Sequence, residues 1–195
     1  ADDIAYDAHD IDDGLRAGVF TLDALAEVPF IEELLAEIDA AWPGLETSRR
    51  IHELTRRVIT RFVEDVIAES GRRIAEAAPR DADAVREAGH TLVTFSEAME
   101  RTDRDIKGFL FPNMYKHPDV VAVRRRADGI VRDLFQGFMA DPATLPVEWR
   151  ADLAHVDEAR DEPRLARRVA DYIAGMTDNF ALVEHRRLFG GTARL

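Results

Sequence analysis

At 195 residues with 46% apolar content, the chain is long enough for one domain with a substantial core. Its net charge of −12 argues against a surface that binds a polyanion as a whole. Salt confines each charge to about 8–10 Å, however, so a small anion can still be held in a local basic site. The lack of cysteine removes disulfides, thiolate nucleophiles and thiolate-bound zinc together and leaves the cytoplasm as the default compartment.

No apolar run approaches the roughly 20 residues of a membrane span. The opening Ala1-Asp2-Asp3-Ile4 has neither the basic nor the apolar region of a signal peptide. It also lacks an initiator Met and runs directly into helical sequence, so either the first residues were processed away or a larger protein was cut here, and the cut is the expectation.

In chain order the periodicity predicts helix after helix. Residues 1–17 form an amphipathic segment expected to end at Gly14 and Gly18. Residues 30–42 put Ile31, Leu34, Leu35, Ile38 and Trp42 on one stripe, stopped by Pro43-Gly44. A long helix is expected over 46–77 on Ile51, Leu54, Val58, Ile59, Phe62, Val66 and Ile67, with Thr47 or Ser48 as cap and Pro79 as terminator. Residues 81–90 are mostly polar, and residues 90–95 alone have strand-like β-branched content. Helices are predicted over 103–114 and 118–139, with a break at His117-Pro118, and one long helix over 164–189. There is no internal repeat at a period of 20–50 residues. The expected fold class is all-α.

The first helix carries polar residues in an ordered row. Asp2, Tyr6 and Asp10 are four residues apart, so they project from nearly one face over roughly 12 Å. An outer carboxylate suits a hard divalent cation such as Mg²⁺ or Mn²⁺, and an inner one can accept a bond from a sugar hydroxyl. The plain alternative is an acidic helix start that complements its own dipole, worth about 0.3–1 kcal/mol. On composition alone that alternative is favoured.

The run Ala1-Asp2-Asp3-Ile4-Ala5-Tyr6-Asp7-Ala8-His9-Asp10-Ile11-Asp12-Asp13-Gly14 changes the balance. It resembles the ADxIAYxxHDxxDG segment of bacterial dGTPase-like phosphohydrolases of the HD superfamily, and the motif is long and unusual. The resemblance implies that Asp2 is the last of four metal ligands, the H…HD…D set, and that Tyr6 and Asp10 contact deoxyribose. His9-Asp10 is not the metal-binding His-Asp pair, which lies upstream in full-length members; His9 is expected to be packed or hydrogen-bonded beside the site.

A second row consists of Lys107, Phe111 and Tyr115, again four residues apart. A cation eight residues before an aromatic ring can hold a phosphate and a base at opposite ends of one nucleotide. The alternative is an ordinary amphipathic helix with a snorkelling Lys, and Pro112 disturbs the helix in either case. The segment resembles the family's LKxFLxxxxYxHP stretch, which implies that Lys107 reaches the triphosphate and Tyr115 lies against base or sugar. Phe111 departs from relatives with a polar residue there and is assigned to the pocket wall.

A third match, Asp171-Tyr172-Ile173-Ala174-Gly175-Met176-Thr177-Asp178, resembles the family's DYIAGMTD signature. It is read as structural, with Ile173 and Met176 in the core and another helix packed closely at Gly175. Leu92-Val93-Thr94-Phe95-Ser96-Glu97 also looks familial. Of the clusters Arg49-Arg50, Arg56-Arg57, Arg124-Arg125-Arg126 and Arg167-Arg168, one is expected to reach a ligand, and the rest to be solvated faces with acidic partners.

Taken together, the resemblance implies the C-terminal part of an HD-type helical protein. Residues 1–18 would end the HD core, and 19–195 would form a substrate-binding and oligomerisation region. It implies hydrolysis of a deoxynucleoside triphosphate to deoxynucleoside and triphosphate, with a divalent metal, in a homo-oligomer. Some members respond to single-stranded DNA, for which the overall charge gives no support. No residue is assigned a catalytic role, because His52, His90, His117, His155 and His185 form no metal-binding spacing with Asp2. With three of four ligands missing, the 195 residues alone are expected to be inactive. The rival reading is a non-catalytic all-α nucleotide-binding or oligomerisation module. Retention of Asp2 weighs against it, and an H…HD pattern upstream of Ala1 would discriminate the two. No GxxxxGK[ST] loop and no basic, aromatic-interleaved surface is present.

Overall fold

Ile4, Ala8, Ile11 and Leu15 recur along the first helix at spacings of four, three and four, and all four are buried. This helix, α1 (Asp2–Arg16), belongs to a computed structural model that describes residues 1–150 and 162–191. Every regular element among the described residues is helical, so the fold is all-α. They divide into two compact units at His117/Pro118.

The first unit continues with α2 (Leu22–Leu25), α3 (Pro29–Ala41), α4 (Thr47–Ala77), α5 (Ala82–Glu87) and α6 (Glu97–Leu110). Its core sets the α1 stripe against Ile31, Leu34 and Ile38 of α3, Leu54, Val58 and Phe62 of α4, and Ile106 and Leu110 of α6. Each such Leu, Ile or Phe contributes about 1.5–3 kcal/mol by leaving water. Phe62 is sandwiched by edge contacts with Phe30 at 5.9 Å and Phe95 at 5.2 Å. Bidentate and shared ion pairs lace α3 to α4: Arg50 holds Asp39, while Arg57 and Arg61 both reach Glu37.

The second unit contains α7 (Pro118–Ala140), a 3₁₀ turn over Pro142–Thr144, α8 (Val147–Arg150), α9 (Glu162–Ala174) and α10 (Asp178–Phe189). Ile130, Leu134 and Phe138 of α7 pack on Leu165, Val169 and Tyr172 of α9. The Tyr172 hydroxyl donates to the buried Glu184, and Arg187 pairs with the same carboxylate at 2.7 Å. The acid is therefore paired as well as bonded, which is what its burial requires.

Several expectations are corrected. Gly14 does not end α1 but lies inside it, and Gly18, with φ of 68°, follows the helix. Neither Thr47 nor Ser48 caps α4; its N-cap is Glu46, without a side-chain bond, and its far end is a left-handed Ala78 before Pro79. Residues 81–90 include the short helix α5, capped by Asp81. Residues 90–95 form no strand. They are turns tied to α4 by the Ser70 hydroxyl at Thr94 and by Arg73 donating to the Thr91 carbonyl. The next residue, Ser96, donates to Asp65 of α4 through both its backbone N–H and its hydroxyl.

The helix expected over 164–189 is two helices. Thr177 takes an extended backbone and accepts a bond from the Phe180 N–H, starting α10 afresh. Gly175 sits in the turn, and among the described residues only its own helix backbone approaches it, where a closely packed second helix was expected. Ile173 and Met176 do pack against the second core. His155 lies outside the described residues.

The buried Gly14 has a different use. A Cβ at this position would stand 2.2 Å from the edge of the Phe20 ring, which itself meets Phe109 edge-on at 5.2 Å. Helix propensity favours Ala over Gly by up to about 1 kcal/mol, whereas overpacking costs about 1–3 kcal/mol. Gly14→Ala should therefore lower the unfolding free energy in urea by about 1–2 kcal/mol. A stabilised variant would show that Phe20 swings aside freely.

Candidate functional site

Four of the sequence-predicted residues, Tyr6, Asp10, Lys107 and Tyr115, lie where α6 packs along α1. Pro112 lacks an N–H, so the regular helix of α6 cannot run through it, and residues Phe111–Tyr115 widen into a π-type turn. The Lys116 N–H bonds back to the Phe111 carbonyl at 3.2 Å, five residues earlier. Asn113 secures the turn by donating to the Phe109 carbonyl at 2.9 Å. The turn carries Tyr115 across to α1, where its hydroxyl donates to Asp10. The Tyr6 ring lies 6.3 Å from the Tyr115 ring, inclined at 41°.

One end of the contact is thus two phenols and an acid, and the other is ionic. Lys107 donates to Asp3 of α1 at 2.9 Å and touches both oxygens of Asp103, one turn earlier on α6, at 2.8 and 3.0 Å. Burial works against the Lys107 charge, but the bonds to Asp103 and Asp3 outweigh it and hold its pKa above the ordinary lysine value. The bond from Lys107 holds the Asp3 carboxyl below its usual range. Tyr115 is pushed up by burial, then by the Asp10 carboxylate and the neighbouring Tyr6 hydroxyl, so it stays a neutral donor.

The remaining predicted residues are placed less tightly. Asp2 is exposed in the first turn of α1. No group of three or more His, Cys, Asp or Glu side chains among the described residues is arranged to hold a metal ion, so Asp2 by itself does not make a metal site. His9 is exposed rather than packed. Phe111 is also exposed, with Lys116 stacked over its ring at 4.6 Å and Tyr115 at 6.5 Å. The arginine clusters find protein partners: Arg50 with Asp39, Arg56 and Arg57 with Glu53, Arg167 with Asp171, and Arg168 over the Trp149 ring. Arg124, Arg125 and Arg126 are solvent-exposed on α7.

Asp7 was not singled out by the sequence reading, yet it is wholly buried at this contact, 0% exposed, with no hydrogen-bond donor for either carboxylate oxygen. Burial first, and then the facing Asp103, push its pKa up to about 7. The signal was available: Asp7 follows Ile4 by three and precedes Ile11 by four, which places it on the edge of the buried stripe.

Residues 93–187 match the family model of the phosphohydrolase-associated domain, which places the chain in a class of phosphohydrolase-associated helical proteins. The whole chain aligns at 52% identity with deoxyguanosinetriphosphate triphosphohydrolase-like proteins of Azorhizobium caulinodans and Brucella ovis, covering 48% of each. The Rhizobium meliloti protein of the same description is 49% identical, with 47% of it covered. The chain belongs to the deoxyguanosinetriphosphate triphosphohydrolase-like family and corresponds to its C-terminal portion. It spans about half the length of these relatives. No helix among the described residues is long and apolar enough to cross a membrane.

The buried Asp7 makes stability depend on pH in a defined direction. Its folded pKa of about 7 lies above the ordinary aspartate value. The protonated native form therefore contributes stability that is complete below about pH 4 and lost as pH rises through about 7. Asp7→Asn, which cannot ionise, should gain on the wild type by roughly 2 kcal/mol between pH 5 and pH 8 in urea unfolding. Parallel curves for the two proteins would show that Asp7 is ionised throughout.

Proposed function

We propose that the α1–α6 contact forms the nucleoside- and phosphate-reading side of a deoxynucleoside triphosphate triphosphohydrolase site. The observation that carries this reading is the bond from Tyr115 to Asp10 with Tyr6 alongside, which joins two aromatic faces and an acid from positions 105 residues apart. Rings of this kind stack on a base or sugar for roughly 1–3 kcal/mol. Asp10 has an oxygen left to accept from a sugar hydroxyl. Lys107, one end of the row away, is the cation for the triphosphate, and Phe111 borders the pocket. The substrate class is supported by the description of the relatives as deoxyguanosinetriphosphate triphosphohydrolase-like.

In this reading Asp2 is one carboxylate of a divalent-metal centre, with magnesium or manganese as the suited ions. The described residues do not complete such a centre. What this chain's own residues do is bind: Tyr6, Asp10 and Tyr115 orient the nucleoside, and Lys107 neutralises phosphate charge. The family relation also supports a cytoplasmic homo-oligomer as the working form. The 195-residue chain on its own is then a binding half without turnover.

Two measurements test this. The isolated chain, assayed with manganese and each dNTP, should release no triphosphate above background; ordinary enzymatic turnover would refute the division of labour. In the intact protein, Tyr115→Phe should lower kcat/KM for its dNTP roughly tenfold, the worth of one hydrogen bond at a charged partner. An unchanged kcat/KM would remove Tyr115 from the site.

A further inference from the structure

Asp7 has both oxygens buried and no donor facing either of them. An ionised carboxylate in that position is far more costly than a neutral one, so it must be neutralised or find a donor. The groups around it are few. On α6 they are Asp103 and Lys107, and on α1 Asp3. The buried side chains of α4, the other helix packed on α1, are apolar apart from Ser70.

Asp103 faces Asp7, and one of its oxygens, like both of those of Asp7, is buried without a hydrogen bond; an ionised carboxylate only accepts. Two facing carboxylates buried together resist ionising at once, and one proton shared between them turns the repulsion into an O–H···O⁻ bond. Lys107 decides which keeps the charge. Its ammonium touches both oxygens of Asp103, at 2.8 and 3.0 Å, which favours placing the shared proton on Asp7.

We propose that Asp7, protonated, donates its O–H to Asp103, and that the pair positions the Lys107 ammonium for a substrate phosphate. The proposal rests on the reading of Lys107 as the phosphate cation. Asp103 is the fixed partner, with its side chain 16% exposed, and Asp3 is the displaceable one, at 66%. An incoming phosphate oxygen takes the place of Asp3 on Lys107 while Asp103 keeps hold of it. The proton also sets the local charge. With Asp7 neutral, Asp3, Asp103 and Lys107 sum to one negative charge; ionising Asp7 makes it two and repels a polyphosphate. Asp7 and Asp103 are positioning residues, since neither touches the phosphate.

The experiment pairs a carboxyl titration with anion binding on the intact protein. Carbon-13 NMR of aspartate-labelled protein should show a carboxyl that titrates near 7 and disappears in Asp7→Asn. Affinity for inorganic triphosphate should fall roughly threefold or more from pH 6 to pH 8, as one extra charge near Lys107 requires. The fall should be absent in Asp7→Asn, whose amide still donates to Asp103, while Asp7→Ala weakens binding at both pH values. The triphosphate's own protonation is common to all three proteins and cancels in the comparison. An aspartate set fully ionised by pH 5, or an Asp7→Asn protein with the wild-type pH dependence, would overturn the proposal. If Lys107→Ala binds triphosphate as well as the wild type, the phosphate reading itself falls and the positioning role with it. A titration near 7 that persisted in that variant would locate the failure at Lys107 rather than at the shared proton.

Discussion

Burial of the Ile4–Ala8–Ile11–Leu15 stripe fixes the rotation of α1, and the polar geometry of the first unit follows from that rotation. At about 100° per residue, Asp7, Asp3 and Asp10 fall at about 60°, 100° and 120° from Ile4, all on one side of the helix. That side is where α6 brings Lys107 and Tyr115. Tyr6 and Asp2 lie further round, which agrees with the exposure of both. A turn of α1 by one residue position would put carboxylates into the apolar core. Several buried aliphatic side chains, at about 1.5–3 kcal/mol each, therefore hold a row of ionic contacts that could not hold itself.

The row divides its labour by protonation. Tyr115 remains a neutral phenol and can donate to Asp10, because burial and the adjacent acid both oppose its ionisation. Lys107 remains charged for the opposite reason, since two acids hold it despite its partial burial. The π-type turn at Pro112 gives the two ends different backbones. Regular helix carries Lys107, and the widened turn brings Tyr115 over Asp10. Widened turns of this kind recur at functional sites because they re-aim a side chain at small cost.

The second unit is held by a different device. Phe138 and Trp149 both pack on the Tyr172 ring, at 5.3 and 5.2 Å, and the Tyr172 hydroxyl passes the polarity of the core to Glu184 and Arg187. The DYIAGMTD segment supplies both the aromatic anchor and, through Gly175 and Thr177, the corner between α9 and α10. Its role in the described structure is architectural. Inside α7, Gly137 makes room for a ring as Gly14 does in α1: a Cβ there would stand 2.8 Å from Phe189.

Periodicity in the sequence was enough for the all-α class, for the amphipathic character of α1, for most of the stripes of α3 and α4, and for the break at His117-Pro118, because these depend on local spacing and on the missing N–H of proline; Trp42 and Ile67, expected on those stripes, are exposed. The long motif at residues 1–14 likewise pointed to the family without any coordinates. Tertiary structure alone decided that residues 90–95 form no strand, since the bonds that hold them come from Ser70 and Arg73 on another helix, with Asp65 of the same helix holding Ser96 beside them. It also decided that 164–189 is two helices, that Gly14 makes room for Phe20, and that Asp7 faces Asp103. Local spacing tells which side chains share a helix face. Only packing tells what stands opposite that face, and the charge and hydrogen bonding of a buried group depend on what stands opposite.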